Sequence, residues 1–161
     1  TSDIGDRTAL HIAEILPHAK KCGVPLAIEP LHPMYAADRA CVNTLEQALD
    51  LCDVFEDGIG VVVDVYHVWW DPKLEAQIKR AGKARILAYH ICDWLVPTTD
   101  LLLDRGMMGD GVIDLPTIRA WLESAGYGGY HEAEILSANN WWRRDPDEVL
   151  RTVKERHRDY S

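Results

Sequence analysis

The stretch VVVDVYHVWW, residues 61–70, decides how the rest of the chain is read. Consecutive valines mark a strand buried on both faces, because branched apolar side chains then fill both sides of the pleat. Asp64 closes the run and His67 follows three residues later. Burying a lone carboxylate is costly, so a partner of opposite charge has to meet Asp64 at the end of its strand.

Working outward, apolar strands alternate with amphipathic helices. Within residues 6–22, Ala9, Ile12, Ala13, Leu16 and Ala19 share one helical face, and Gly23 stops the helix. VPLAIE (24–29) reads as a short strand. Asn43 and Thr44 cap a helix over 45–56 that turns Leu45, Ala48, Leu49, Cys52 and Phe55 inward. Gly58 and Gly60 lead into a strand at 60–65, and Asp71-Pro72 opens a helix that Gly82 ends. RILAYHIC (85–92) is the third strand, followed by a helix from Asp114 through Ser124. YHEAEIL (130–136) is the fourth, and Asp145-Pro146 starts a last helix to about Arg158.

The order α-βα-βα-βα-βα predicts an α/β fold with a parallel sheet and right-handed crossovers. The 161 residues read as a single domain, 1–161. Four βα units make either an open sheet or half of a (β/α)8 barrel. A full barrel takes about 250 residues, so length alone favours the open sheet. The longest irregular stretch, 93–113, contains DRGMMGDG. It lacks the spacing of a nucleotide-binding glycine loop and does not open a helix directly after a strand.

Composition narrows the function. Hydrophobic residues make up 47% and charged residues 27%, as in ordinary globular proteins, and the net charge of −9 argues against a nucleic-acid partner. No apolar run reaches the roughly 18 residues of a membrane span. Cys22, Cys41, Cys52 and Cys92 form no CxxC pair. They sit among apolar residues, read as buried free thiols and suggest a reducing, cytoplasmic setting.

Period-two alternation then asks which face each strand residue uses. Ala27 and Glu29 share a face, as do Gly60, Val62 and Asp64, then Ala88, His90 and Cys92, then Glu132 and Glu134. Each strand therefore carries an ionisable group near its C-terminal end: Glu29, Asp64, His90 and Glu134. If those faces agree, three carboxylates and one imidazole converge where α/β folds build their sites. A divalent cation relieves their repulsion. The hard donor set suits Mn²⁺ first, with Mg²⁺, Co²⁺ and Zn²⁺ within its range.

LAIEPLHPMYAADR, VVVDVYHVWWDP, the strand end His90-Ile-Cys-Asp93-Trp94, RGMMGDGVID and EAEIL are similar to the xylose isomerase-like TIM-barrel family. Within it they resemble the sugar-phosphate isomerase/epimerase branch. The resemblance runs in order over about residues 10–155 and implies the last four βα units of a barrel, a half-barrel. It implies one divalent ion held by Glu29, Asp64, His90 and Glu134, with His67 and Arg105 contacting substrate. Where ketose 3-epimerases of the family carry a second Glu, this chain has Tyr35, and His32 stands nearby as a substitute polar contact. Trp69, Trp70 and Trp94 follow strands and lie over the site mouth, with Trp69 taken as a substrate wall. Glu132 is expected behind the ligands, His11, His18 and His157 on helix surfaces, and His131 in a structural role.

The implied reaction is proton abstraction α to a carbonyl on a small polyhydroxylated substrate, through an enediolate. Glu29 and Glu134 act as base and acid in either order. Loss of a β-hydroxyl after the same step makes an inositol-type dehydratase the alternative. A catalytically incomplete half-barrel fragment is a further one. Two open sheet edges invite pairing, either in a homo-oligomer or with a missing N-terminal half.

Overall fold

The strand Ile59–Asp64 (β2) is buried along its whole length, as its valine run requires. The structure, a computed structural model, describes residues 2–161. A long helix, Ser2–Cys22 (α1), precedes the first strand, Leu26–Ile28 (β1), and Leu45–Cys52 (α2) lies between β1 and β2. A single helical turn, Val65–Val68 (α3), follows β2 directly; Leu74–Arg85 (α4) and Ile86–Ile91 (β3) come next. A two-stranded ribbon, Asp93–Trp94 (β4) and Arg105–Gly106 (β5), intervenes before Leu115–Ser124 (α5), His131–Ala133 (β6) and Pro146–Tyr160 (α6). The main sheet has the order β1-β2-β3-β6 and every pairing is parallel.

Local chemistry explains the boundaries. Thr44 and Gln47 form a reciprocal capping box at the start of α2. Asp114 and Asp145 cap α5 and α6, each with Pro in the first turn. Gly82 takes φ 54° and breaks α4 before β3 begins. Leu45, Ala48, Leu49 and Cys52 of α2, Leu74 and Ile78 of α4, and Leu115, Ile118 and Leu122 of α5 pack on the outer side of the sheet. There they meet Ile59, Val61, Val63, Tyr89 and Ile91. Among the described residues, no helix is long and apolar enough to cross a membrane.

Several sequence expectations are corrected here. The end strands span three residues each, not 24–29 and 130–136, because each pairs on one side only. Their inner positions Ala27 and Glu132 are exposed, since nothing faces them across half a ring. Cys52 and Cys92 are buried, but Cys22 and Cys41 are exposed. The ribbon and the α3 turn were not anticipated. His157 is no simple surface residue, since its ring meets His131.

Gly60 has a close-approach role. A Cβ there would lie 2.3 Å from the Arg85 carbonyl oxygen and 2.7 Å from Leu87 Cγ. The pairing of β2 with β3 shifts register beside it, between Val61 and Val62. Gly60→Ala is therefore expected to lower stability by about 1–3 kcal/mol, read as a lower urea midpoint at unchanged slope.

Candidate metal centre

The parallel register brings the strand ends level. Glu29 follows β1 immediately, Asp64 ends β2, His90 is next to last in β3 and Glu134 follows β6. Asp64 pairs with His90 across the ladder, and His90 with Glu132. One donor atom from each of Glu29, Asp64, His90 and Glu134 falls within 4.8 Å of all the others. His90 Nδ1 stands 3.5 Å from Glu29 Oε1 and 3.6 Å from Glu134 Oε2. Donors bound about 2.0–2.2 Å from one ion stand roughly 3–4.4 Å apart, so small side-chain movements complete a shell. His90 Nδ1 is also a buried polar atom with no hydrogen-bond partner, aimed at those oxygens. The residues fit a divalent cation.

Glu132 stays outside this group. Its carboxylate is mostly exposed and approaches the other ring nitrogen of His90, Nε2, at 3.7 Å.

A guanidinium meets the carboxylates directly. Arg105, on β5, is 3% exposed and sends one nitrogen to Asp64 Oδ2 and Glu134 Oε2, both at 3.0 Å. Its plane lies over the Tyr66 ring, 4.2 Å from the centroid. Asp64 also accepts the Tyr66 backbone N–H at 2.8 Å. Burial still pushes the Asp64 carboxyl up to about 7, against the pull of Arg105. Glu134 moves the other way, down to about 2, because it faces His90 as well as Arg105 and is less buried. The carboxylates of Glu134 and Glu29 raise His90 to about 10.

His67 sits on the α3 turn and is buried. Its Nδ1 accepts the His32 backbone N–H at 3.2 Å, which leaves the ring proton on Nε2. Nε2 lies 3.6 Å from Asp64 Oδ2 and 3.3 Å from Arg105. Burial, followed by Arg105, holds this imidazole down to about 4, so it is neutral at physiological pH. His32 caps its own turn, stacks on Trp94 at 5.0 Å and meets Trp70 edge-on. Trp94 also contacts Tyr66 and Trp69, so it is the centre of the aromatic wall. Trp70 donates to the His67 carbonyl and locks the α3 turn. Tyr35, in place of a second acid, donates to the Leu101 carbonyl at 2.7 Å, and Tyr66 donates to the same oxygen at 3.0 Å.

Asp93 is the residue that sequence reasoning missed. It is fully buried, and its two oxygens accept four backbone N–H groups, from Trp94, Gly109, Gly111 and Ile113, at 2.9–3.0 Å. A Cβ at Gly111 would lie 2.1 Å from the Trp94 carbonyl oxygen, so only glycine lets the loop close on this carboxylate. Asp93 pairs with Gly106 and Trp94 with Arg105 in the ribbon, so the clasp aims Arg105 at the centre. The readable signal was the His90-x-x-Asp93 spacing ahead of the glycine-rich run.

Known proteins are similar to this chain in sequence and fold. A family model described as xylose isomerase-like TIM barrel matches residues 5–155. Inosose isomerases of Bacillus licheniformis and Bacillus velezensis are each 29% identical, over 89% and 95% of this chain but 51% and 54% of their own. The chain thus spans about half the length of the curated relatives it matches. A crystal structure of a Sinorhizobium meliloti 1021 protein is 66% identical with a TM-score of 0.92, covering 94% of this chain and 56% of that one. The IOLI protein, solved with a bound zinc atom, is 25% identical with a TM-score of 0.84, over 99% of this chain and 56% of its own. The four parallel strands are thus part of a barrel of this type.

Two outcomes are expected. Asp93→Ala strands four buried donors and should lower stability by at least about 2 kcal/mol in chemical unfolding, with Asp93→Asn intermediate. Metal loading requires neutral His90 and ionised Asp64, whereas the metal-free chain holds protons on both near neutrality. Addition of Mn²⁺ at about pH 7 should therefore release roughly one to two protons per ion, and affinity should rise with pH.

Proposed function

The chain belongs to the xylose isomerase-like TIM barrel family, and on that premise we propose that residues 1–161 are the metal-holding half of a carbohydrate isomerase or epimerase. The convergence of Glu29, Asp64, His90 and Glu134 at the C-terminal strand ends carries the reading. These four would hold one divalent ion. Their three carboxylates favour Mn²⁺, and the zinc in the IOLI relative supports Zn²⁺ as an accepted alternative. A bound ion supplies positive charge that polarises a carbonyl and stabilises the negative charge developing on its oxygen.

The chain's own groups do the rest. Glu29 takes a proton from the carbon beside the carbonyl and Glu134 returns one from the opposite side, or the reverse. Return to the same carbon inverts it; return to the neighbouring carbon moves the carbonyl. Neutral His67 offers its Nε2–H to a substrate oxygen, and Arg105 clamps a second. Trp69 and Trp94, with His32 stacked on the latter, form the wall for an apolar sugar face. The substrate is a small polyhydroxylated carbonyl compound. The inosose isomerase names of the relatives support isomerisation ahead of dehydration.

The inner side of the half-ring is open, and β1 and β6 each have a free edge. The working assembly includes further strands, from a second copy or from an N-terminal half such as relatives of about twice this length possess.

Glu29→Gln and Glu134→Gln should each cut Mn²⁺-dependent turnover of an inosose or ketose by about 10²–10⁴-fold. Turnover surviving in both variants sinks the base and acid assignment. Light scattering of the active preparation should give a mass above the 18.2 kDa of one chain; full activity in a metal-loaded monomer sinks the closed-ring reading.

A further inference from the structure

A second group of ionisable side chains lies outside the metal centre. On the helix-covered side of the sheet, a cavity of about 450 Å³ opens between β6, α5 and α6. Its wall includes Arg119, His131, Lys154 and His157 and contains no carboxylate. That is unusual in a chain of net charge −9. His157 Nε2 and His131 Nδ1 are 3.0 Å apart, so one ring nitrogen donates a hydrogen bond to the other. Lys154, on the exposed side of α6, makes no ion pair or hydrogen bond among the described residues. Arg119 gives one nitrogen to Glu123 at 2.7 Å and a second to the Ser161 carbonyl at 2.6 Å, which leaves the third for a ligand.

Glu123 offsets the charge of Arg119, so Lys154 is the wall cation left without a partner among the described residues, and the free Arg119 nitrogen and the histidine pair add donors around the same cavity. A carboxylate offers two oxygens; a phosphate offers three terminal oxygens, enough to meet Lys154, Arg119 and a ring N–H at once. We propose that this cavity binds a phosphate monoester, at a site separate from the metal centre. The separation follows from the strand. His131 and Ala133 face the helices, with His131 against Tyr89 at 4.9 Å. Glu134 points to the opposite side, about 10 Å further along the chain.

Binding is linked to protons. Burial, then His157 and Arg119, lowers the proton affinity of His131, while Glu123 raises it. The groups facing the pair are Arg119 and Glu123 from α5, Lys154 from α6, Tyr89 from β3, and Tyr127. An entering anion favours the charged form of His131, so the site tightens as pH falls toward the second pKa of a phosphate monoester, about 6.

The test titrates the chain with inorganic phosphate, with glycerol 3-phosphate and with acetate, following the imidazole resonances of His131, His157 and His90. Saturable shifts at His131 and His157 are expected with both phosphates and not with acetate. With glycerol 3-phosphate, which keeps most of its second charge at pH 6.5, they should be about threefold tighter or more at about pH 6.5 than at pH 8. Lys154→Ala should weaken binding about tenfold and Lys154→Glu abolish it; Lys154 is exposed, so both variants fold. Absence of saturation, equal binding of acetate, shifts centred on His90, or shifts unchanged in Lys154→Glu would each overturn the proposal.

Discussion

Three carboxylates and an imidazole brought to one point of a sheet repel one another unless a positive charge sits among them. Every part of the molecule around that point answers this requirement. Arg105 meets two of the carboxylates with a single nitrogen. The guanidinium is buried, and a buried cation is tolerable only because those carboxylates surround it. It stays in place because the Tyr66 ring lies beneath it and because the ribbon that carries it is tied to Asp93. Asp93 in turn is buried and ionic, and it is satisfied by four backbone amides of the glycine loop. One charge problem thus propagates from the strand ends into the stretch 93–113.

The fold was legible where a physical pattern repeats. The valine run, the capping residues at Thr44, Asp114 and Asp145, and the stop at Gly82 each act within a few residues, and each appears as read. Period-two alternation brought Glu29, Asp64, His90 and Glu134 to one place, because a parallel ladder keeps strand ends in step. What was not legible depends on contacts across the chain. Three of the four amides that hold Asp93 come from residues 16 to 20 positions away, and the short spacing ahead of the glycine-rich run hints at that closure without showing which carboxylate it closes on. The shortness of β1 and β6 reflects the absence of neighbours beyond them, which no sequence window contains. The exposure of Cys22 and Cys41 has the same origin: apolar surroundings in sequence are not burial in space.

The open inner face reverses the usual logic of a core. On the outer side, helices cover the sheet, and Val61, Val63 and Tyr89 have no contact with water. On the inner side, Ala27 and Glu132 are exposed although they occupy positions that a closed ring would bury. The charged centre therefore faces solvent from one direction and protein from the other. His67, Asp64 and Arg105 are nonetheless buried, because the α3 turn and the ribbon enclose them locally. The dry part of the site is made by these additions, ahead of any closure of the ring.

The ribbon carries a further consequence. The four strands supply the acids and the imidazole, but the opposing charge arrives on a separate two-stranded piece that is tied to the chain just beyond β6, where the Arg105 backbone N–H donates to the Leu136 carbonyl at 2.9 Å. Met107, Met108 and Ile113 of the same stretch are buried in the core beside the helices, and Asp110 meets Trp141 and Arg156. The piece that brings the cation is therefore also a piece of the core. A change of chemistry at Arg105 is least disruptive as a single substitution on an unchanged stretch, because exchange of the whole stretch requires the core to be repacked around it.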